Sequence, residues 1–116
     1  MAIEKANIFI AAASFTAANP VVVAFQNGCK IARGGAGSYT VTLDQDVGAA
    51  PSTCAVLQVT KVIAAATAAD VAVTQTSSTV FTITTAATLG GASAEVAGLS
   101  LFVTVQAIGA PGTSGI

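Results

Sequence analysis

The stretch GCKIARGGAGSYTVTL, residues 28–43, decides the fold class because it places two alternating runs on either side of a glycine-rich segment. In its second half, Tyr39, Val41 and Leu43 alternate with serine and threonine, which is the period-two pattern of a half-buried strand. Residues 34–37 are three glycines and an alanine, and glycine has the backbone freedom that a tight reversal needs. The stretch therefore predicts two antiparallel strands joined by a short turn.

The same alternation continues through most of the chain, in which Val, Ile and Thr make up 37 of 116 residues. These residue types favour strands. Asn27-Gly28 tolerates positive φ at both positions and predicts a two-residue hairpin between strands at 21–26 and 29–33. Residues 75–78 are expected to join the strands that start at Asp70 and Thr79. Further strands are expected at residues 3–10, 54–62 and 99–108, and residues 62–70 and 92–97 hold at most a turn or a short helix.

No internal repeat and no shift in composition divides the chain, so residues 1–116 are expected to form a single domain. Strands at regular short spacing with few helix signals are typical of all-β folds. The sequence therefore predicts one antiparallel β-sandwich or jelly-roll-like barrel of about eight strands.

Charge and histidine content exclude several functions. Lys and Arg number 4, Asp and Glu number 5, and charged residues make up 8% of the chain against about 25% in average domains. Four cations do not form the basic surface that a nucleic-acid partner requires. The absence of histidine excludes an imidazole-based triad or zinc site. No paired acid and base lies beside a nucleophile, so we expect no enzymatic activity and no cofactor.

Scarcity of charge also predicts that neighbouring molecules cover part of the surface. A soluble monomer normally carries about 25–35% charged residues on its outside. No uninterrupted apolar run of about 18 residues is present, so a membrane helix is not expected. Residues 1–18 faintly resemble a signal peptide, but Glu4 offsets Lys5 and polar residues interrupt the apolar stretch. We interpret them as part of the fold and expect a homo-oligomer.

A few side chains are candidates for specific chemistry. Asp44 and Asp46 offer two carboxylates to a calcium ion, but six oxygens are not visible nearby and a hydrogen-bonded turn is favoured. Residues 34–37 resemble a phosphate loop, yet they lead into a strand and not a helix. Cys29 and Cys54 are either a disulfide or two buried thiols, and free thiols are favoured because no export signal is evident. Lys30, Arg33 and Lys61 are either contacts to acidic neighbours or ordinary surface charge.

The order of turn, short strand, glycine-rich turn and Gly-x-Tyr-x-Val-x-Leu in residues 28–44 resembles the β-rich structural proteins of tailed bacteriophages. The similarity is to small head-decoration (cement) proteins and fibre-type domains, and it extends to the style of the last strand. The resemblance implies a trimeric or otherwise symmetric β-protein of the virion, assembled in the host cytoplasm, with a major capsid or other virion protein as partner. The resemblance assigns no binding residues in this sequence.

Three functions remain in competition at this point. A virion structural protein is favoured, with the terminal segments and the apolar members of the outer sheet faces as expected anchors. A receptor- or glycan-binding fibre module is the first alternative, but one Tyr and no Trp supply few aromatic platforms. A secreted fimbrial or surface-layer subunit is the second, and it requires export of the chain.

Overall fold

The computed structural model describes residues 8–47, 55–63, 70–96 and 98–108. This part of the chain forms eight strands and no helix. The strands are β1 (Ile8–Thr16), β2 (Val22–Asn27), β3 (Cys29–Gly35), β4 (Ser38–Leu43), β5 (Ala55–Ile63), β6 (Asp70–Gln75), β7 (Val80–Ala86) and β8 (Leu99–Ile108).

The strands form two antiparallel sheets of four. Sheet A has the order β2-β1-β8-β5, and sheet B has the order β3-β4-β7-β6. The two sheets pack face to face and do not close into a barrel, so the all-β prediction is confirmed in its sandwich form. The strands of each sheet are not consecutive, since the chain crosses between the sheets after β2, β4, β5 and β7.

The core lies between the inner faces of the two sheets. The predicted alternation is confirmed in β4, where Tyr39, Val41 and Leu43 are buried. Phe15 of sheet A contacts Tyr39 of sheet B, with ring centroids 5.3 Å apart and a tilt of 54°. This pair joins the two layers of the sandwich. The other large buried apolar residues are Ile31, Val47, Phe81, Ile83, Val96, Leu99, Leu101, Val103 and Val105.

The predicted hairpin at Asn27-Gly28 is wrong. Gly28 has a φ of 75°, as the turn chemistry requires, but it lies where the chain passes from the edge of sheet A to the edge of sheet B. Its carbonyl accepts a hydrogen bond from the amide of Asp44 (2.9 Å). The positive φ permits a sharp corner without deciding which strands pair. Pairing instead follows burial, because Cys29 is buried and pairs with Leu43 of β4.

The two other expected turns are confirmed. β3 and β4 form a hairpin in which Gly37 has a φ of 69°. β6 and β7 form another, closed by the amide of Thr76, which donates to the carbonyl of Val80 (2.9 Å). Residues 92–96 form no helix, and Ser93 makes a single antiparallel bridge to Ala86.

The first strand runs further along the chain than expected. β1 continues to Thr16, whereas the prediction ended at residue 10, and residues 1–7 lie outside the described part. Ala11, Ala13 and Phe15 are fully or almost fully buried in the centre of sheet A. The alanines of this run therefore belong to the core, where small side chains leave room for the larger residues of the opposite sheet.

Candidate interaction surface

The outward side of sheet A carries no charged residue among the described side chains. Residues directly opposite one another in antiparallel strands point to the same side of a sheet, so the register identifies this surface. We call it the outer face of sheet A. Its described members are Ile10, Ala12, Ser14, Thr16, Val22, Phe25, Asn27, Gln58, Thr60, Ser100, Phe102, Thr104 and Gln106.

Four large apolar side chains are exposed on this face. The exposed fractions are 60% for Val22, 55% for Ile10, 48% for Phe25 and 45% for Phe102. Single exposed apolar residues are ordinary on protein surfaces, but a contiguous apolar patch indicates an interaction site. These residues lie on the adjacent strands β2, β1 and β8, with Ala12 and Ser14 between them.

The relief of this face comes from a strip of small residues between two aromatic rings. Ser14 of β1 lies directly opposite Phe25 of β2 on one side and Phe102 of β8 on the other. The two rings therefore stand two strand spacings apart, which is about 10 Å. Ala12 and Ser14 occupy the strip between them. At Ser14 the outer face of sheet A thus has a small residue between two phenylalanines, whereas Ile10, further along β1, is large and exposed.

One edge strand of sheet A, β2, is also uncharged. All six residues of β2 are exposed, and β2 pairs with β1 on one side only. Proteins usually protect exposed edge strands with charged side chains, proline or a bulge. β2 has a register irregularity where Ser14 and Phe15 lie opposite Phe25 and Val23, and it has no charged residue.

Among the described strands and loops, Lys61 of β5 is the charged residue of sheet A, and it pairs with Leu101, so its register position does not belong to the outer face. The other described charges lie on sheet B and its flanking loops. Lys30 and Arg33 are in β3, and Asp70 is in β6. The outer face of sheet B is polar, with Thr40, Thr42, Thr74, Thr82 and Thr84 on three neighbouring strands. Asp44, Asp46 and Glu95 lie in the loops that leave sheet B. The two outer faces therefore differ in chemistry, which the sequence pattern alone did not indicate.

One ion pair closes an end of the sandwich. Arg33 donates through Nε to Glu95 and also pairs with it through its terminal nitrogen, and both side chains are about one-quarter exposed. The Thr85 hydroxyl donates to the carbonyl of Ala94 (2.8 Å), which holds the β7–β8 connection against sheet B. Tyr39 lies beneath the pair with its hydroxyl buried and without a hydrogen-bond partner of normal geometry. Sequence reasoning left the partner of Arg33 open, since the two charges are 62 residues apart.

Burial raises the pKa of the Tyr39 phenol, and the charge of Glu95 raises it further, against smaller opposing effects of Thr85 and Arg33. The group is therefore neutral at physiological pH. It is enclosed by core residues, and its contact with Phe15 is a packing contact. We assign this cluster a structural role.

The remaining candidates from the sequence are placed as follows. Cys29 is a free, buried thiol that donates to the carbonyl of Ala12 (3.6 Å), and Cys54 lies outside the described residues. Burial raises the pKa of Cys29, and the charge of Asp44 acts in the same direction, opposed by a backbone hydrogen bond at Asn27. Within the described ranges, no three His, Cys, Asp or Glu side chains gather as a metal-binding group, and Asp44 and Asp46 form part of no such group.

Among the described residues there is no helix long and apolar enough to cross a membrane. Comparisons with protein-family models, curated proteins and solved structures find no match to this chain. The uncharged outer face of sheet A is therefore the feature from which function has to be argued.

Proposed function

We propose that the protein is a non-enzymatic structural subunit of a symmetric assembly, and that this assembly is a bacteriophage virion whose capsid it decorates or cements. The observation that carries the proposal is the outer face of sheet A, with four exposed large apolar side chains and no described charge. The resemblance of residues 28–44 to phage head-decoration proteins supplies the kind of assembly.

The free energy gained by covering this face is small for one subunit and becomes sufficient when many subunits bind together. Complete burial of a large apolar side chain contributes about 1.5–3 kcal/mol, so covering one that is half exposed contributes about 1 kcal/mol. Four such residues give about 4 kcal/mol for each subunit before the cost of association is subtracted. Contacts of this size are weak singly, and they hold firmly when many copies bind one lattice.

The difference between the two outer faces also supports a decorating role. A protein that lies on a particle needs one surface for the assembly and one for the solvent. Sheet B carries threonines and charged residues and is suited to water, whereas the outer face of sheet A is suited to a protein neighbour. Leu89, which is 91% exposed in the connection between β7 and β8, offers a further apolar contact beside these sheets.

The test is the presence of the chain in purified phage particles. We expect mass spectrometry of gradient-purified particles to find it at a fixed ratio to the major capsid protein. Phe102→Lys, on the outer face of sheet A, should remove it from particles, and Thr42→Lys, on the outer face of sheet B, should not. Absence of the wild-type chain from purified particles would refute the proposal.

A further inference from the structure

We infer that the outer face of sheet A is covered by the same face of a second copy of this chain, so that two sandwiches stack about a two-fold axis. The inference deepens the proposed function and rests on it, because it names a second copy of this chain as the neighbour that covers this face within the assembly. Contact with the capsid is then left to surfaces outside this face. Three properties of the face favour a second copy over a different protein: its charge, its relief and its size.

The charge distribution favours self-association. In a two-fold interface each surface meets itself, so any charge on it comes close to an identical charge. The thirteen described members of the face carry none. Partners of different sequence are usually selected through complementary charges. Apart from Lys61 of β5, whose register position lies opposite Leu101 and not on this face, the described charges lie on sheet B and its loops, which a self-stacked sheet A does not cover.

The relief of the face is complementary to itself. Two sheets pack about 10 Å apart, with large side chains of one opposite small side chains of the other. Phe102 lies on β8, directly beside the strip formed by Ala12 and Ser14. In an antiparallel stack, Phe102 of each copy enters the strip of the other, between its Phe25 and Phe102. The two-fold axis therefore produces the same Phe102 contact twice, once from each copy.

The size of the face is sufficient for a reversible pair. Four strands about 4.8 Å apart give a width of about 19 Å, and nine residues at about 3.3 Å each give a length of about 30 Å. Two such faces remove about 1,100 Å² from solvent, which is just above the roughly 1,000 Å² expected of a specific interface. The whole face is therefore needed, and one charge near its centre should weaken the pair strongly.

Analytical ultracentrifugation across the micromolar range tests the inference. The wild-type chain should show a monomer–dimer equilibrium that added salt does not weaken, since no charges meet in the interface. Ser14→Lys should weaken the dimer at least about tenfold, and salt should restore part of the loss by screening the like charges. Thr82→Lys on the outer face of sheet B is the matched control and should leave the dimer unchanged.

Thr104→Glu on β8 provides a second variant in case Ser14→Lys does not fold, and circular dichroism checks each variant. A chain that stays monomeric through the micromolar range overturns the inference. So does a dimer that Thr82→Lys disrupts while Ser14→Lys and Thr104→Glu do not. If the chain forms this dimer but is absent from phage particles, the inference is supported and the proposed function is refuted. If the chain is present in particles but forms no dimer, the proposed function is supported and the inference is refuted.

Discussion

Replacement of Gly37 by alanine should destabilise the protein through both backbone conformation and close approach. Gly37 has a φ of 69°, in the left-handed region that side chains disfavour. A Cβ at this position would lie 2.5 Å from the amide nitrogen of Ala94, 2.6 Å from its carbonyl oxygen and 2.7 Å from the carbonyl oxygen of Thr85. All three neighbours are backbone atoms, so no rotation of a side chain relieves the contacts.

The expected loss is about 3–4 kcal/mol. The left-handed conformation costs about 1–2 kcal/mol for a residue with a Cβ. Relief of the contacts requires the β3–β4 hairpin to move away from Thr85 of β7 and the β7–β8 connection to move away from sheet B. The first movement breaks the bond from the Thr85 amide to the Gly37 carbonyl (2.8 Å), and the second breaks the bond from the Ala94 amide to the Thr85 carbonyl (2.9 Å). Each of these hydrogen bonds contributes about 1 kcal/mol.

Gly90 and Gly35 provide matched controls. Gly90 has a φ of 70° with no atom within 4 Å of a built Cβ, so Gly90→Ala isolates the conformational cost and should lose about 1–2 kcal/mol. Gly35 has neither a positive φ nor a close neighbour, so Gly35→Ala should change stability little. Urea unfolding at neutral pH measures all three, with the midpoint read at unchanged m. Equal losses for Gly37→Ala and Gly90→Ala would refute the close-approach argument.

Three further predictions concern the core. Tyr39→Phe should stabilise the protein by about 1 kcal/mol at neutral pH, because it removes a buried hydroxyl that lacks a partner; a loss of stability in urea would contradict this. The pKa of Tyr39 is raised in the folded state, so the unfolded chain ionises first and stability should fall as the pH rises above about 10. Tyr39→Phe should lack this part of the alkaline loss, and phenolate absorbance reports the group alone because Tyr39 is the only tyrosine. Phe15→Leu should cost about 1 kcal/mol and Phe15→Ala about 3–5 kcal/mol in thermal unfolding, and equal melting temperatures would show that the contact with Tyr39 does not hold the sheets together. Cys29 should resist alkylation until the protein unfolds, as read by peptide mass mapping, and rapid labelling of the folded chain would show that β3 opens locally.

The sequence predicted the strands well because burial follows a period of two. β4 has the predicted bounds, and β8 covers the predicted residues 99–108. In both strands every second residue is apolar and the sandwich buries that side. The hairpin at Gly37 was predictable because a residue that accepts positive φ lies between two strands that both bury alternate residues in the same sheet.

The sequence was less informative where a distant partner decides the outcome. Asn27-Gly28 has the residues of a tight hairpin, but β3 pairs with β4 in sheet B and turns its apolar side toward sheet A, so the chain turns a corner between the sheets instead. Arg33 meets Glu95 only because the β7–β8 connection folds back over sheet B. The composition predicted a surface that needs neighbours. The uncharged outer face of sheet A, where we propose that surface, depends on sheet order, and alternation along single strands carries no information on that order.

The position of β8 has a consequence for the order of folding. β8 lies between β1 and β5, and it pairs with a strand about 90 residues before it, as in the register of Phe15 with Leu101. During synthesis the other seven described strands leave the ribosome first, at about 5–20 residues per second. Sheet B can pair in that interval, whereas sheet A stays open at its centre until β8 emerges. The surface that we propose for assembly is thus complete only when synthesis has passed Ile108.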